Sequence, residues 1–328
     1  MWEAKIVDDR VYIGERFAVS FQRTLRVPDD GYEYPLPPTL GLFAVRSVSD
    51  FQESLPSSWD KDGVFFCMYQ REAMWMAFEA PPWKPCAVKI GIGKINALTG
   101  DNWDNMLKDS PQDYLVCPEQ PWLDGINSGA GSIHQFVAMP LGEGYTIEGQ
   151  ITGQEEFGGI QLLVYDPKDG IFPDEPPPPP TSPGFFEAGP LAFSQATPSV
   201  EMGLGAGGKI QQKIYLDRYG IETWDQSDYG DLTVYILNSI YFQKFTGEPA
   251  PSTPVSAQTY THYGLPWFKL YDEAKGALLG SELLAGTKTV KEIDAGKNLP
   301  QTDAEKPLNI DSDQIKTLKV EDEEKMDD

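Results

Sequence analysis

The stretch FAVSFQRTLRV, residues 17–27, decides the fold class because hydrophobic and polar residues alternate along it. One face of the stretch is apolar and consists of Phe17, Val19, Phe21, Leu25 and Val27. A period of two places successive side chains on opposite faces of an extended chain, so the pattern predicts a β-strand. Arg23 interrupts the apolar face. Two explanations are open: a β-bulge at this position, or a buried guanidinium that requires a carboxylate partner.

Weaker alternation recurs in short runs that are rich in β-branched and aromatic residues and mostly end at Gly, Pro, Asn or Asp. These runs are residues 74–78, 87–92, 135–139, 145–152, 160–165 and 232–236. Helical patterns are few, and nothing resembles the regular strand–helix alternation of a parallel α/β fold. The sequence therefore predicts a mainly β protein, with an antiparallel β-sandwich or barrel-like architecture, long loops and a few short helices.

The charge of the chain argues against two classes of partner. Its 328 residues include 26 Lys and Arg against 50 Asp and Glu, which gives a net charge of −24. Binding to DNA, RNA or an anionic membrane surface depends on a basic surface. We therefore expect neither nucleic acid nor a membrane as a partner, and no stretch reaches the ~18 consecutive apolar residues of a membrane-spanning helix.

The cysteines and the N-terminus indicate a compartment. Cys67, Cys86 and Cys117 are odd in number and widely spaced, which is typical of reduced thiols rather than of a disulfide framework. The first residues, MWEAKIVDD, lack the apolar core of a secretory signal. These features predict a cytoplasmic protein.

A proline-rich stretch divides the chain. Residues 173–183 read PDEPPPPPTSP, and five consecutive prolines form a stiff polyproline II segment. We predict a linker or surface arm there, between a β-rich domain at 1–172 and a second β-rich region at 184–300. The sequence leaves open whether these two regions fold separately or share one core. Residues 301–328 hold 10 acidic and 4 basic residues and no aromatic side chain, which predicts an acidic disordered tail.

The stretch GLGAGGK, residues 203–209, matches the nucleotide-binding patterns G-x-G-x-x-G and G-x-x-x-x-G-K. Ile210 stands where the phosphate loop requires Ser or Thr, and no clear strand precedes or helix follows the match. The pattern therefore predicts a flexible loop that leads into a strand. Its glycines would allow another backbone segment to approach closely.

Three tryptophans, Trp83, Trp122 and Trp267, each follow a proline. Proline favours extended or turn backbone, so we expect these side chains in loops. A rigid indole in a loop can stack on a sugar ring or anchor a protein partner, and the three are the predicted ligand-binding residues. The alternative is that each indole closes one end of the core.

Carboxylates supply the remaining candidate sites. Asp225, Asp228 and Asp231 are three residues apart and are candidate calcium ligands, although the spacing differs from an EF-hand and a solvated turn is the alternative. Glu148, predicted on the polar face of a strand near Trp122, is the candidate general acid for sugar hydrolysis, and a solvated strand face is the alternative. The two histidines and the cysteines show no zinc or catalytic-triad spacing.

Taken together, these patterns favour a non-enzymatic, β-rich binding or assembly protein that uses loop aromatics. Its expected partner is another protein, a second copy of the chain or a carbohydrate. The alternative is a carboxylate-based carbohydrate hydrolase. No cofactor is expected apart from calcium.

Overall fold

A computed structural model describes residues 2–129, 131–173, 175, 199–271 and 276–319. Of the predicted linker, only residues 173 and 175 fall within these ranges. No helix in the described ranges is both long enough and apolar enough to cross a membrane.

Strands dominate the described residues, and the mainly β fold class is confirmed. The strands are β1 (Ala4–Val7), β2 (Arg10–Ile13), β3 (Phe17–Thr24), β4 (Glu33–Tyr34), β5 (Thr39–Leu42), β6 (Arg46–Ser47), β7 (Val64–Met68), β8 (Ala73–Glu79), β9 (Cys86–Ile92), β10 (Ile95–Asn96), β11 (Leu115–Cys117), β12 (Trp122–Leu123), β13 (Gly125–Gly129), β14 (Ser132–Pro140), β15 (Ile160–Pro167), β16 (Glu201–Gln211), β17 (Trp224–Asn238), β18 (Trp267–Tyr271) and β19 (Ile315–Lys319).

The helices are short and lie between strands or near the C-terminus. They are α1 (Ile147–Thr152), α2 (Ser239–Thr246), α3 (Ala257–His262), α4 (Glu282–Ala285) and α5 (Val290–Gly296). Single 3-10 turns occur at Val48–Phe51, Ile221–Thr223, Asp303–Glu305 and Ser312–Gln314.

Strands β1 to β17 belong to one hydrogen-bonded sheet that has two halves and does not close into a barrel. In one half the order of neighbours is β2, β3, β8, β14 and β16, all antiparallel. In the other half β9, β15 and β17 are antiparallel, and β7 pairs with β17 in parallel. The two halves join where Glu201 and Met202 of β16 pair with Leu237 and Ile236 of β17.

Both halves of the sheet contribute to one hydrophobic core. Phe21 of β3 stacks on Phe66 of β7 with ring centroids 4.8 Å apart, so the ring contact crosses from one half to the other. The same core contains residues from before and after the proline-rich stretch, for example Val164 of β15 and Ile236 of β17. Strands from the two predicted β-rich regions therefore pack against each other.

Strand β3 is the strand predicted from residues 17–27, and it ends at Thr24. Its polar face is buried too, because Ser20 and Thr24 are almost inaccessible. The pairing of β3 with β5 shifts register between Gln22 and Thr24, and the Arg23 Nε donates to a buried carboxylate, Glu72, at 2.7 Å. Arg23 has the carboxylate partner that the second explanation requires, whereas the extra residue of the irregularity lies on β5, and β3 pairs with β8 without a shift at Arg23.

Two local predictions are wrong. Residues 145–152 are not a strand but contain helix α1, because the Thr146 hydroxyl accepts the Gly149 N–H at its start and Gly153, at φ +79°, ends it. Residues 203–209 are not a loop but the interior of β16, which pairs with β14. The close backbone approach predicted for these glycines is confirmed, since a Cβ on Gly208 would lie 2.2 Å from the Pro28 carbonyl oxygen.

The C-terminal segment also differs from expectation. Residues 301–319 were predicted to be disordered, yet they include two 3-10 turns and strand β19, which pairs in parallel with β18. Glu305 in this segment is only 5% exposed and is paired with a buried arginine, which explains how an acidic sequence becomes ordered. Residues 320–328 lie outside the described residues.

Candidate ligand-binding cavity

The three predicted ligand-binding tryptophans lie on separate elements. Trp267 of β18 is fully buried, with the ring of Tyr260 packed edge-on at 6.2 Å, so its indole is not available to a ligand in this structure. Trp122 of β12 is half-buried and packs edge-on against Trp75 at 6.4 Å. Trp83 is half-buried in the turn that follows β8.

The three candidate calcium ligands all lie on β17, and the structure does not assemble them into a site. Asp225 Oδ1 accepts hydrogen bonds from the backbone and hydroxyl of Ser227, and Asp228 Oδ1 accepts one from the Trp2 indole at 2.9 Å. Asp231 is exposed. Within the described ranges, no three His, Cys, Asp or Glu side chains are placed to hold a metal ion.

The Glu148 carboxylate holds a loop in place. It is buried in α1, where Oε1 accepts the N–H groups of Glu156 and Phe157 and Oε2 accepts that of Gly158, each at 2.8 Å. Both carboxylate oxygens are therefore already engaged with backbone donors.

In a different part of the molecule, several residues with unpaired buried polar atoms line a cavity of about 940 Å³, here named the Arg26 cavity. Six segments form its walls: the chain at the end of β3, the turn between β7 and β8, residues 143–145, the junction of β17 and α2, residues 253–257, and residues 299–304. The residues that carry the argument are Arg26, Arg71, Asn238, Ile240, Thr253 and Leu299.

The backbone around Arg26 is fixed by a side chain from a neighbouring strand. β14 shifts register between His134 and Phe136, and the fully buried Gln135 lies at this irregularity. Its Oε1 accepts the Val27 N–H at 3.0 Å, and its Nε2 donates to the Leu25 carbonyl at 2.9 Å. The amide of Gln135 thus holds the chain on both sides of Arg26.

The Arg26 side chain is only 7% exposed and is incompletely paired. Its Nη2 donates to Glu305 Oε1, while Nε and Nη1 have no hydrogen-bond partner in the described part of the protein. Burial lowers the pKa of Arg26; Glu305 opposes this effect, and the nearby Arg71 guanidinium adds to it. The surrounding carboxylates therefore do not fully offset the burial of this positive charge.

Two neutral side chains of the same cavity also have unpaired atoms. Asn238 is fully buried; its Oδ1 accepts the Ile240 N–H at the start of α2, but its Nδ2 has no partner. Thr253 is 8% exposed, and its hydroxyl also has no partner. Buried polar atoms in folded proteins are nearly always hydrogen-bonded, so three such side chains around one cavity require an explanation.

The opposite wall is fully paired. Arg71, in the turn between β7 and β8, makes a two-pronged contact with Asp294 of α5 at 2.6 and 2.8 Å. The Tyr145 hydroxyl donates to the same carboxylate at 2.7 Å. Burial disfavours the Asp294 anion, but Arg71 and Tyr145 outweigh burial and hold its pKa below the usual value.

Part of the cavity lining is apolar. Ile240 and Leu299 line it and are 45% and 46% exposed, although both have large hydrophobic side chains. Pro254 and Val255 line the same wall. The cavity thus combines buried hydrogen-bond donors with exposed apolar side chains.

No protein-family model matches the chain, and neither the curated proteins nor the solved structures contain a significant match. No pattern in the sequence marks Asn238 or Thr253. Arg26 was visible only as a polar residue in the alternating pattern of 17–27, and its burial next to Glu305 depends on the folded C-terminal segment.

Proposed function

We propose that the protein is a binding protein whose small-molecule ligand occupies the Arg26 cavity. The observation that carries this proposal is the set of unpaired donors on Arg26, Asn238 and Thr253. Leaving a buried polar group without a partner costs about 1–3 kcal/mol, and more when the group is charged. These atoms are buried, so a ligand with acceptor oxygens would provide the missing partners once the side chains turn toward the cavity.

Two acids at the cavity, Glu72 and Asp294, are already engaged with cations, which favours binding over the hydrolase alternative. Glu72 accepts hydrogen bonds from Arg23 and from the Tyr69 N–H, and Asp294 is held by Arg71. These carboxylates neutralise neighbouring cations. Among the lining residues, the buried polar atoms without a partner are hydrogen-bond donors, which suits recognition of a ligand.

The test combines a ligand screen with a blocked cavity. Thermal unfolding would be measured in the presence of calcium, mono- and oligosaccharides, small organic acids and amides. A ligand that binds only the native state raises the stability of that state by about 2.7 kcal/mol at a hundredfold excess over Kd. Ala304, which lines the cavity and is partly exposed, is replaced by Trp to fill it. The control, Leu279→Trp, adds the same side chain at a remote position that is 83% exposed.

We expect at least one ligand to stabilise the wild type and the Leu279→Trp variant but not the Ala304→Trp variant. If no compound binds, or if every compound that binds also binds the Ala304→Trp variant, the proposal is overturned. The remaining hypothesis would then be the assembly role predicted from the sequence.

We also infer that the protein works in a reducing compartment such as the cytoplasm. Cys67, Cys86 and Cys117 are all free and buried, which is how cysteines serve as small apolar core residues. Alkylation of the protein in freshly lysed cells, followed by denaturation and mass spectrometry, should find three unoxidised thiols. A disulfide between any two of them would contradict this inference.

A further inference from the structure

We infer that the protein has a second binding site, for a neutral saccharide unit, in a cavity of about 260 Å³ here named the Trp103 cavity. This inference does not depend on the Arg26 cavity. Three features support it: an aromatic wall that is fixed in place, free amide groups at the rim, and opposite charges that balance. The lining residues that carry the argument are Lys94, Asn102, Trp103, Gln154, Glu156 and Phe157.

Trp103 provides a flat wall whose position is fixed. A Cβ on Gly91 of β9 would lie 2.8, 2.9 and 3.2 Å from Cζ3, Cε3 and Cδ2 of the indole, in the order Cε3, Cζ3, Cδ2, so the ring lies flat against a strand position that has no side chain. The Trp103 backbone N–H donates to the Lys94 carbonyl at 3.0 Å. The indole is half-buried and lines the cavity. Because one face of the ring covers the strand, the opposite face is the one that a ligand can cover.

Phe157 forms a second wall on a loop that a buried carboxylate holds. Its backbone N–H donates to Glu148 Oε1 at 2.8 Å, and its side chain is 45% exposed. The Lys94 ammonium lies 4.0 Å from the centre of the Phe157 ring. Lys94 is held in the turn between β9 and β10, where Gly93 and Lys94 both have positive φ and Gln161 Oε1 accepts the Lys94 N–H at 2.7 Å. Both walls are thus positioned before a ligand binds, which lowers the entropy cost of binding.

The polar groups at the rim match hydroxyl groups. Asn102 and Gln154 are exposed, and neither side chain has a hydrogen-bond partner among the described residues. Each amide offers an acceptor oxygen together with an NH₂ donor. A sugar hydroxyl also donates and accepts, whereas a carboxylate only accepts and an ammonium only donates. A pyranose ring carries such hydroxyls around its edge and has a face of C–H groups that can cover an indole.

The charges at the cavity favour a neutral ligand. Lys94 and Glu156 are both exposed and have opposite signs. The third charged side chain of the described lining, Glu148, already accepts three backbone N–H groups with its two oxygens. An anion would meet Glu156 in a chain whose net charge is −24, and a cation would meet the Lys94 ammonium. A neutral saccharide avoids both repulsions.

The test follows the indole N–H signals of the full-length protein by heteronuclear NMR during titration. The chain has 8 tryptophans, and the signal lost in Trp103→Phe is that of Trp103. The probes are the methyl β-pyranosides of glucose, galactose and mannose. Glucitol has sugar hydroxyls but no ring, while acetate and tetramethylammonium are charged and have no hydroxyls. We expect at least one methyl pyranoside to shift the Trp103 signal saturably and to bind about tenfold or more tightly than glucitol or either ion.

Variants at the rim locate the site. Asn102→Ala and Gln154→Ala each remove an exposed amide, and each should weaken the best methyl pyranoside about fivefold with little change in melting temperature. Gln154→Trp fills the cavity and should abolish binding. The matched control is Gln52→Ala, because Gln52 is also exposed but does not line the cavity. Its affinity should equal that of the wild type, and the melting temperature of each variant checks that it is folded.

The outcomes separate this inference from the proposed function. The saccharide assignment is wrong if no methyl pyranoside shifts the Trp103 signal, if glucitol binds as tightly, or if either ion binds more tightly than every pyranoside. If Gln154→Trp binds the pyranoside as well as the wild type does, the sugar binds elsewhere and this inference fails. If Ala304→Trp abolishes sugar binding and Gln154→Trp does not, the sugar occupies the Arg26 cavity, which supports the proposed function and overturns this inference.

Discussion

Single residues in this protein show two ways of burying an ionisable group. Glu72, 3% exposed, faces Arg23, and its charge is balanced inside the core. Asp124, 2% exposed, has neutral partners instead: the Gln212 side chain donates to Oδ2 at 2.9 Å, and the Trp122 indole contributes a second hydrogen bond. Burial raises the pKa of both carboxyls, but at Glu72 the Arg23 guanidinium opposes burial, whereas Asp124 has only neutral donors, which partly replace lost hydration.

The first prediction concerns the pH dependence caused by Asp124. Burial raises the pKa of its carboxyl from 3.8 to about 7. Because the folded pKa is the higher one, the contribution of this group to stability falls as pH rises from about 4 to about 7 and is constant above that range.

In Asp124→Asn this pH dependence is absent, and an oxygen still faces Gln212. The variant should be more stable than wild type by about 4 kcal/mol at pH 8, with little difference at pH 4. Urea unfolding across this range measures the difference, and a difference that stays constant with pH would contradict the assignment.

The second prediction concerns Glu148. Its carboxylate accepts three backbone N–H groups, and a Gln side chain would turn an NH₂ group toward at least one of them. Glu148→Gln should therefore destabilise the protein by about 1–3 kcal/mol. Glu156→Gln, an exposed neighbour in the same loop, is the control and should change stability by less than about 0.5 kcal/mol. Equal unfolding midpoints for the two variants would show that the buried carboxylate does not hold the loop.

At the level of elements, β16 shows how a strand can be built from a glycine-rich sequence. Gly205 and Gly208 lie in its interior, and a Cβ on either would approach backbone atoms of another segment to within 3.0 Å. The missing side chains let Tyr145 and Pro28 pack directly onto the strand. Glycine weakens a strand in general, so the close packing must supply the stability that strand propensity does not.

The third prediction follows from this packing. In Gly208→Ala the new Cβ would meet the Pro28 carbonyl carbon and oxygen at 2.7 and 2.2 Å, and backbone atoms cannot turn away as a flexible side chain could. We expect a loss of about 2–3 kcal/mol or more in the free energy of unfolding. Gly296→Ala is the control, since no atom lies within 4 Å of its Cβ position at the end of α5. A helical alanine there should be neutral or stabilising by about 0.5–1 kcal/mol, and denaturant titration of both variants compares them.

The same elements show what the sequence could predict. Period-two alternation locates β3, β8, β9 and β14 because side chains on opposite faces have different environments. It fails for β16, where small residues are buried on both faces and no alternation remains. It also fails for α1, where the cap formed by Thr146 and the contacts of Glu148 override the strand-like pattern of 145–152.

At the level of the whole molecule, the Arg26 cavity depends on contacts between distant segments. Arg26, Asn238 and Glu305 are separated by more than 60 residues from one another in sequence, so no local motif marks the site. Acidic composition predicted disorder for residues 301–319, but it could not indicate that Glu305 is paired with a buried cation. Such a site becomes visible only once the topology has brought its segments together.

The topology also leads to the fourth prediction, that the described sheet and core unfold as one unit. The strands before and after the proline-rich stretch are interleaved: β14 pairs with β16, β15 with β17, and β7 with β17. Removing residues 173–328 would expose the hydrogen-bonding edges and the apolar faces of β7, β14 and β15 together, so the fragment 1–172 should not fold by itself. In the intact chain, tryptophan fluorescence and far-ultraviolet circular dichroism should follow one coincident urea transition, with a single midpoint. Two results would contradict this prediction: two separate transitions in the intact chain, or a cooperative melting curve for the 1–172 fragment. Either result would support two independent domains, which the sequence left open. It would also mean that the contacts across the sheet contribute little to stability.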